Sequence, residues 1–189
     1  MSAKDDAAKL RERFGAGVVE TIEFRGEVTV VATPEAVHDV LAECRSACCY
    51  EMLLDISGVD HLGREPRFDV AYELATVDDR KHLRVKTRVA ENQAVPTASD
   101  IWGSADWHER EVWDMMGIPF SGHPNLKRIL MWEGYPYCPL RKDFPLAGRP
   151  SEMPDVAFSA AAPMAGGPFV ACSGAPNTVL REPRSKASE

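Results

Sequence analysis

The sequence predicts an α+β fold: a two-layer sandwich whose mainly antiparallel or mixed sheet carries helices on one side, with an extended C-terminal tail. Three observations predict it. "RFDVAYEL" and "HLRVKTRV" alternate apolar and polar residues with period two, the mark of half-buried strands. "TPEAVHDVLAECRSA" and "SADWHEREVWDMMG" repeat their apolar residues at helical spacing instead. From about residue 133 both periods vanish, and Pro, Gly, Ala and Ser dominate.

Taken in order, residues 1–14 read as a surface helix or a frayed arm, and 1–17 as a variable N-terminal arm ahead of a domain spanning 18–132. "VVETIEFRGEVTVVA" gives strands at 18–24 and 27–32 with "RGE" as the turn. In the helix that follows, Thr33 can cap and Pro34 suits the first helical position. Val37, Val40, Leu41 and Cys44 then form one apolar stripe. "YEMLLDIS" is a third strand, expected to end at Gly58. Pairing Phe68 with Val89 also sets Asp69 opposite Arg88 and Glu73 opposite Arg84. One face of this hairpin is then apolar and the other a charge ladder. The basic row is either a solvated sheet face or a docking surface for an acidic partner. Helices interleaved with hairpins argue against a doubly wound nucleotide fold, and no G-x-G-x-x-G or Walker lysine motif is present.

The segment 133–189 has no periodic apolar face and is either disordered or held extended along another surface, with docking expected to about residue 150. Residues 126–150 hold five Lys/Arg against two acids, a local net of +3 in a chain whose net charge is −7. That overall charge argues against nucleic-acid binding. No apolar run is long enough to span a bilayer, and the N-terminus does not read as a secretory signal. Cys44 and Cys48 fall in step with the helix stripe and read as small buried hydrophobes, not as cluster ligands.

The stretch "WHEREVWDMMGIPFSGHP" (107–124) invites a catalytic or metal reading. Ser104 as N-cap and Gly117 as stop define a helix over 105–116. Val112, Trp113, Met115 and Met116 share an apolar arc. Arg110, Glu111 and Asp114 fall opposite, with Arg110 and Asp114 spaced for an ion pair. A zincin helix requires H-E-x-x-H, and Val112 stands where the second histidine belongs. Glu109 and Glu111 project about 160° apart by helical geometry, so they do not converge on one centre. Glu109 falls inside the apolar arc and therefore needs a hydrogen-bonding or charged partner. After the helix come a turn-rich crossing, "GIPFSGHP", and an expected short strand, "LKRILM".

The spacing of Glu109-Arg110-Glu111, Asp114-Met115-Met116, Gly117, His123, Lys127 and Ile129-Leu130 resembles the signature of the C-subunit family of respiratory complex I. That family is the homologue of the mitochondrial 30 kilodalton peripheral-arm subunit of NADH-quinone oxidoreductase. "GHPNLKRILMWEGYPYCPLRKDFP" is similar to the rest of the family's C-terminal hallmark, and looser matches extend the likeness over about 20–145. The resemblance implies a non-catalytic structural subunit with no catalytic, cofactor or metal residues of its own. FMN and iron–sulfur clusters would sit in other subunits. It also implies docking on the large quinone-site subunit and other peripheral-arm subunits, on the cytoplasmic side of the membrane and without insertion. Arg128, Pro139, Leu140, Arg141, Lys142, Asp143, Phe144 and Pro145 are the expected partner interface. An equivalent subunit of a membrane-bound hydrogenase, or of a quinone oxidoreductase with another donor, is the alternative; a stand-alone metalloenzyme is a weaker one.

Overall fold

The computed structural model describes residues 2–78 and 81–145. The chain opens with α1 (Ala3–Phe14), started by a capping box in which Ser2 and Asp5 exchange side-chain and backbone hydrogen bonds. Its Ala7 and Leu10 sit in the main apolar core, so this helix is part of the folded body. Strands β1 (Val18–Phe24) and β2 (Glu27–Ala32) form a hairpin. Only Arg25 and Gly26 make its turn, both at positive φ (51° and 86°), the two-residue geometry whose twist matches paired strands. Glu27 is already in the strand and not in the turn.

Helix α2 (Val37–Ser46) starts later than expected. Thr33 does cap, its hydroxyl accepting from the Ala36 N–H at 3.3 Å, but it caps a turn that contains Pro34. Val37, Val40, Leu41 and Cys44 are fully buried as the stripe requires. Burial raises the Cys44 thiol pKa well above its ordinary value, which suits an inert core residue.

Strand β3 (Met52–Asp60) runs straight through Gly58, where the sequence suggested a stop. Gly58 is there for packing: a Cβ would lie 2.8 Å from the Met116 sulfur and 3.2 Å from Val112. Strands β4 (Phe68–Ala75) and β5 (His82–Val89) pair in the register that alternation demands, with Phe68 opposite Val89, Asp69 opposite Arg88 and Glu73 opposite Arg84. The five-stranded sheet has the order β1-β2-β5-β4-β3, antiparallel except for a parallel seam between β2 and β5. Residues from all three helices join one apolar cluster with the inward side chains of these strands.

On the other sheet face the basic row is occupied by the domain's own acids. Arg84 pairs with Glu73 and Glu27, Lys86 lies 3.3 Å from Asp69, and Arg88 reaches across to Glu20 on β1 at 3.1 Å. The charge ladder is present, but Thr29, Val31, Asp69 and Ala71 on the same face are buried, so it is partly covered and not fully solvated.

Short strands β6 (Val95–Pro96) and β7 (Phe120–Ser121) pair in parallel on either side of α3 (Ala105–Met116). Gly117 ends α3 in the left-handed region (φ 74°), its N–H returning to the Trp113 carbonyl at 2.8 Å. Ser104 occupies the N-cap position without capping; its hydroxyl lies 3.5 Å from the Leu53 carbonyl. "LKRILM" forms no strand, because three of its backbone N–H groups turn onto one carboxylate. Residues 133–145 are laid back on the body. The expected tail from 146 to 189 lies outside the described residues.

Candidate functional site

The candidate site is built on α3 and organised by three acidic residues. Glu109 faces inward, as its helical position requires, and is fully buried. Its carboxylate accepts the Ala98 N–H at 2.6 Å and the Thr97 hydroxyl at 2.5 Å, with His123 Nε2 at 3.9 Å. Burial raises its pKa, and the Ala98 and Thr97 hydrogen bonds only partly offset this. The partners are thus a loop amide and a hydroxyl, brought beside α3 by the β6–β7 pair. The buried His123 ring accepts from the Asn125 N–H at 3.0 Å through Nδ1, which assigns its proton to Nε2, where it donates to the Asp106 carbonyl at 3.1 Å. Glu109 and His123 are close together but enclosed, so no reacting group reaches them without opening the domain.

Asp114 overturns the outward placement expected for it. It is fully buried and makes no pair with Arg110. The loop 123–131 covers this side of α3. The N–H groups of Ile129, Leu130 and Met131 converge on one Asp114 oxygen at 3.0, 2.8 and 2.9 Å, and the Arg128 guanidinium pairs with the other. Burial pushes the carboxyl pKa up, but these donors together outweigh it and hold the value below the ordinary range. Arg128 also lies over the Trp113 and Tyr135 rings, 5.6 Å from each centroid. Arg110 donates to the carbonyls of Lys127 and Arg128 at 3.0 and 3.2 Å, so it serves the same loop as Asp114. Lys127 is exposed. Gly117 permits a close approach: a Cβ there would sit 2.8 Å from both the Cys138 sulfur and an Arg141 nitrogen.

The third acid, Asp60, ends β3 and does not stand out in the sequence. Arg67 grips it with two hydrogen bonds of 2.8 Å, while also meeting Asp143 at 2.6 Å and Glu91 at 3.3 Å. The Asp60 carboxylate accepts the Lys142 N–H at 2.8 Å as well, and its hydrogen bonds with Arg67 hold its pKa below the ordinary range. Arg141 donates to the Met116 carbonyl at 2.6 Å and to Glu91 at 2.7 Å, and the Leu140 N–H reaches the Met115 carbonyl at 3.1 Å. Of the residues expected to face a partner, Arg128, Arg141 and Asp143 thus point their charges at their own domain. Leu140, Lys142 and Pro145 are exposed; Pro139 and Phe144 are half-buried. The signal for Asp60 and Arg67, a lone charge at each end of adjacent strands, is too common to mark them out.

This arrangement can bind backbone and fix loops, since its inward-facing charges are already matched. Among the described residues no group of three or more His, Cys, Asp or Glu side chains is placed to hold a metal ion.

Similarity to known proteins agrees with this geometry. Residues 30–150 match the family described as the respiratory-chain NADH dehydrogenase 30 Kd subunit. A relative from Geobacter metallireducens, the C subunit of an NADH-quinone oxidoreductase, is 45% identical over 142 residues, covering 74% of this chain and 88% of its own. One of the same name from Bartonella tribocorum is 46% identical over 144 residues, covering 75% and 71%. Among solved structures, a trypsin-resistant fragment of Nqo5 aligns with a TM-score of 0.59 at 33% identity, over 67% of this chain and all of the fragment. An archaeal respiratory membrane complex, the membrane-bound sulfane sulfur reductase, shares the fold with a TM-score of 0.64 at 24% identity, over 76% of this chain and 85% of the other. With the family match spanning residues 30–150 and relatives at about 45% identity over three quarters of its length, the chain belongs to the family of the respiratory-chain NADH dehydrogenase 30 Kd subunit, the C subunit of NADH-quinone oxidoreductase.

Proposed function

We propose that the chain is a non-catalytic structural subunit of the peripheral arm of a proton-translocating NADH:quinone oxidoreductase. It docks on the large quinone-site subunit and supports electron transfer that runs through FMN and iron–sulfur clusters in other subunits. The observation that carries this reading is the treatment of residues 138–143. Asp60, Arg67, Glu91 and the carbonyls of Met115 and Met116 pin this strap to the body, leaving Leu140 and Lys142 outward. A strap fixed in advance loses little conformational freedom when a partner covers it. No helix among the described residues is long and apolar enough to cross a membrane, which fits a subunit attached through the complex.

The test is co-expression with the cognate large subunit. The two chains should be recovered together, and Lys142→Glu should lower recovery without lowering the thermal stability of the isolated chain. A chain stable alone yet never recovered with the large subunit would sink the reading. The shared fold of the archaeal reductase keeps a second reading, the same role with another electron donor. NADH oxidation by the assembled complex separates the two.

A further inference from the structure

Strand β3 is an edge of the main sheet, paired with β4 on one side only, and α3 packs beside it where Gly58 lacks a side chain. Next to that contact lies a cleft of about 200 Å³, lined by Asp55, Gly58, Glu111, Val112, Met115 and Leu140 among others. One water molecule needs only about 10–15 Å³ measured this way, so the cleft has room for a side chain. Its lining is divided between apolar side chains, Val112, Met115 and Leu140 among them, and a polar part that carries two carboxylates. Asp55 is partly matched, by the Ser57 hydroxyl and by His108 Nδ1 at 3.3 Å. Glu111 is exposed and makes no hydrogen bond or ion pair with the described residues, unlike Glu109 and Asp114 on the same helix.

Apolar side chains on one part of the lining and unmatched negative charge on the other suit one kind of occupant: a long aliphatic stem ending in a cation. A purely apolar side chain would desolvate Glu111 without a partner, and an acidic one would be repelled. Leu140 belongs both to the cleft and to the strap on which docking is proposed, so a partner lying along the strap passes the opening. We infer that the β3–α3 cleft receives a lysine or arginine side chain of the large quinone-site subunit, with Glu111 as its main counter-charge and Asp55 as its second. This inference rests on the docking function proposed above.

The experiment measures binding of the full chain to the cognate large subunit, with wild type set against Glu111→Gln, Glu111→Lys and the control Glu12→Lys on α1. Glu111→Lys should weaken binding about tenfold or more and Glu111→Gln less, since charge reversal adds repulsion to the lost attraction. The wild-type affinity should fall with salt more steeply than that of Glu111→Gln. The thermal midpoint of each Glu111 variant should match wild type, because Glu111 holds nothing within the domain. Unchanged affinity and salt dependence in both Glu111 variants, with wild type binding normally, would overturn the cleft while leaving docking intact. A wild-type chain that does not bind at all would overturn both. If instead the wild-type chain self-associates in sedimentation and Glu111→Lys abolishes that, the occupant is a second copy and the inference is wrong.

Discussion

The sheet and the α3 strap region are held together in opposite ways. In the sheet, Phe68, Val70, Tyr72 and Leu74 meet Leu83, Val85 and Val89, and stability is spread over a continuous apolar layer. In the region from 95 to 145 apolar packing is thinner, and single carboxylates gather several donors each: Asp114 from three amides and an arginine, Glu109 from a loop amide and a hydroxyl, while Asp60 at the end of β3 takes Arg67 and a strap amide where the two regions meet. The difference teaches that a row of acids on a helix need not signal chemistry. Irregular loops lack ladders to satisfy their N–H groups, and a buried carboxylate is a compact way to satisfy several at once.

The largest expected effect breaks the second region alone. Asp114→Ala removes the buried acceptor shared by three loop amides and strands Arg128, at a cost of about 4 kcal/mol. Limited proteolysis should then cut within 123–131 well before the sheet, and uniform resistance would contradict the anchor role. Next comes Leu83→Ala, which should cost about 3 kcal/mol through lost burial and a residual cavity. Chemical denaturation should show one cooperative loss of the whole sheet, with no early release of the strap.

The smallest effect is the sharpest. Glu109→Gln keeps the acceptor for Ala98 and should change stability at neutral pH by within about 1 kcal/mol. What it should change is the pH dependence. Glu109 has a folded pKa above its ordinary value, so its contribution is greatest when protonated and is withdrawn as pH rises through the folded pKa. Asp114 behaves oppositely: its contribution is complete above the ordinary carboxylate range and is lost as pH falls through its lowered folded pKa. Stability measured against pH should therefore lose, in Glu109→Gln, the decline that sets in as pH rises above the ordinary glutamate value, and keep its fall at more acid pH. A variant losing the acid-side fall would reverse the assignments.

The same contrast sets how far the sequence could be read. Strand limits at 18–24 and 27–32 follow from the turn between two short β-prone runs, and the register of 68–75 against 82–89 follows from period-two alternation, because a one-residue slip would expose the apolar face. The helix 105–116 and its glycine stop were equally visible. Gly58 misled, since a glycine chosen for close approach looks the same in sequence as one that ends a strand. Asp114 misled for a related reason. Helical projection shows which residues share an arc, but not that a later loop will cover the arc opposite the sheet. The partner of Glu109 was out of reach as well, because Thr97 and Ala98 become its neighbours only through the β6–β7 pair.

The parallel seam between β2 and β5 has a consequence for how this chain finds its shape. Every other pairing in the main sheet joins strands adjacent in sequence: β1 with β2, β3 with β4, β4 with β5. Each can close over a short loop, as a hairpin does in microseconds. The seam, with Val30 beside Val85 and Ala32 beside Thr87, joins residues 55 positions apart and must wait for both halves. The domain is therefore two locally assembled ribbons zipped along their middle, and the slow event in its folding is the meeting of those ribbons.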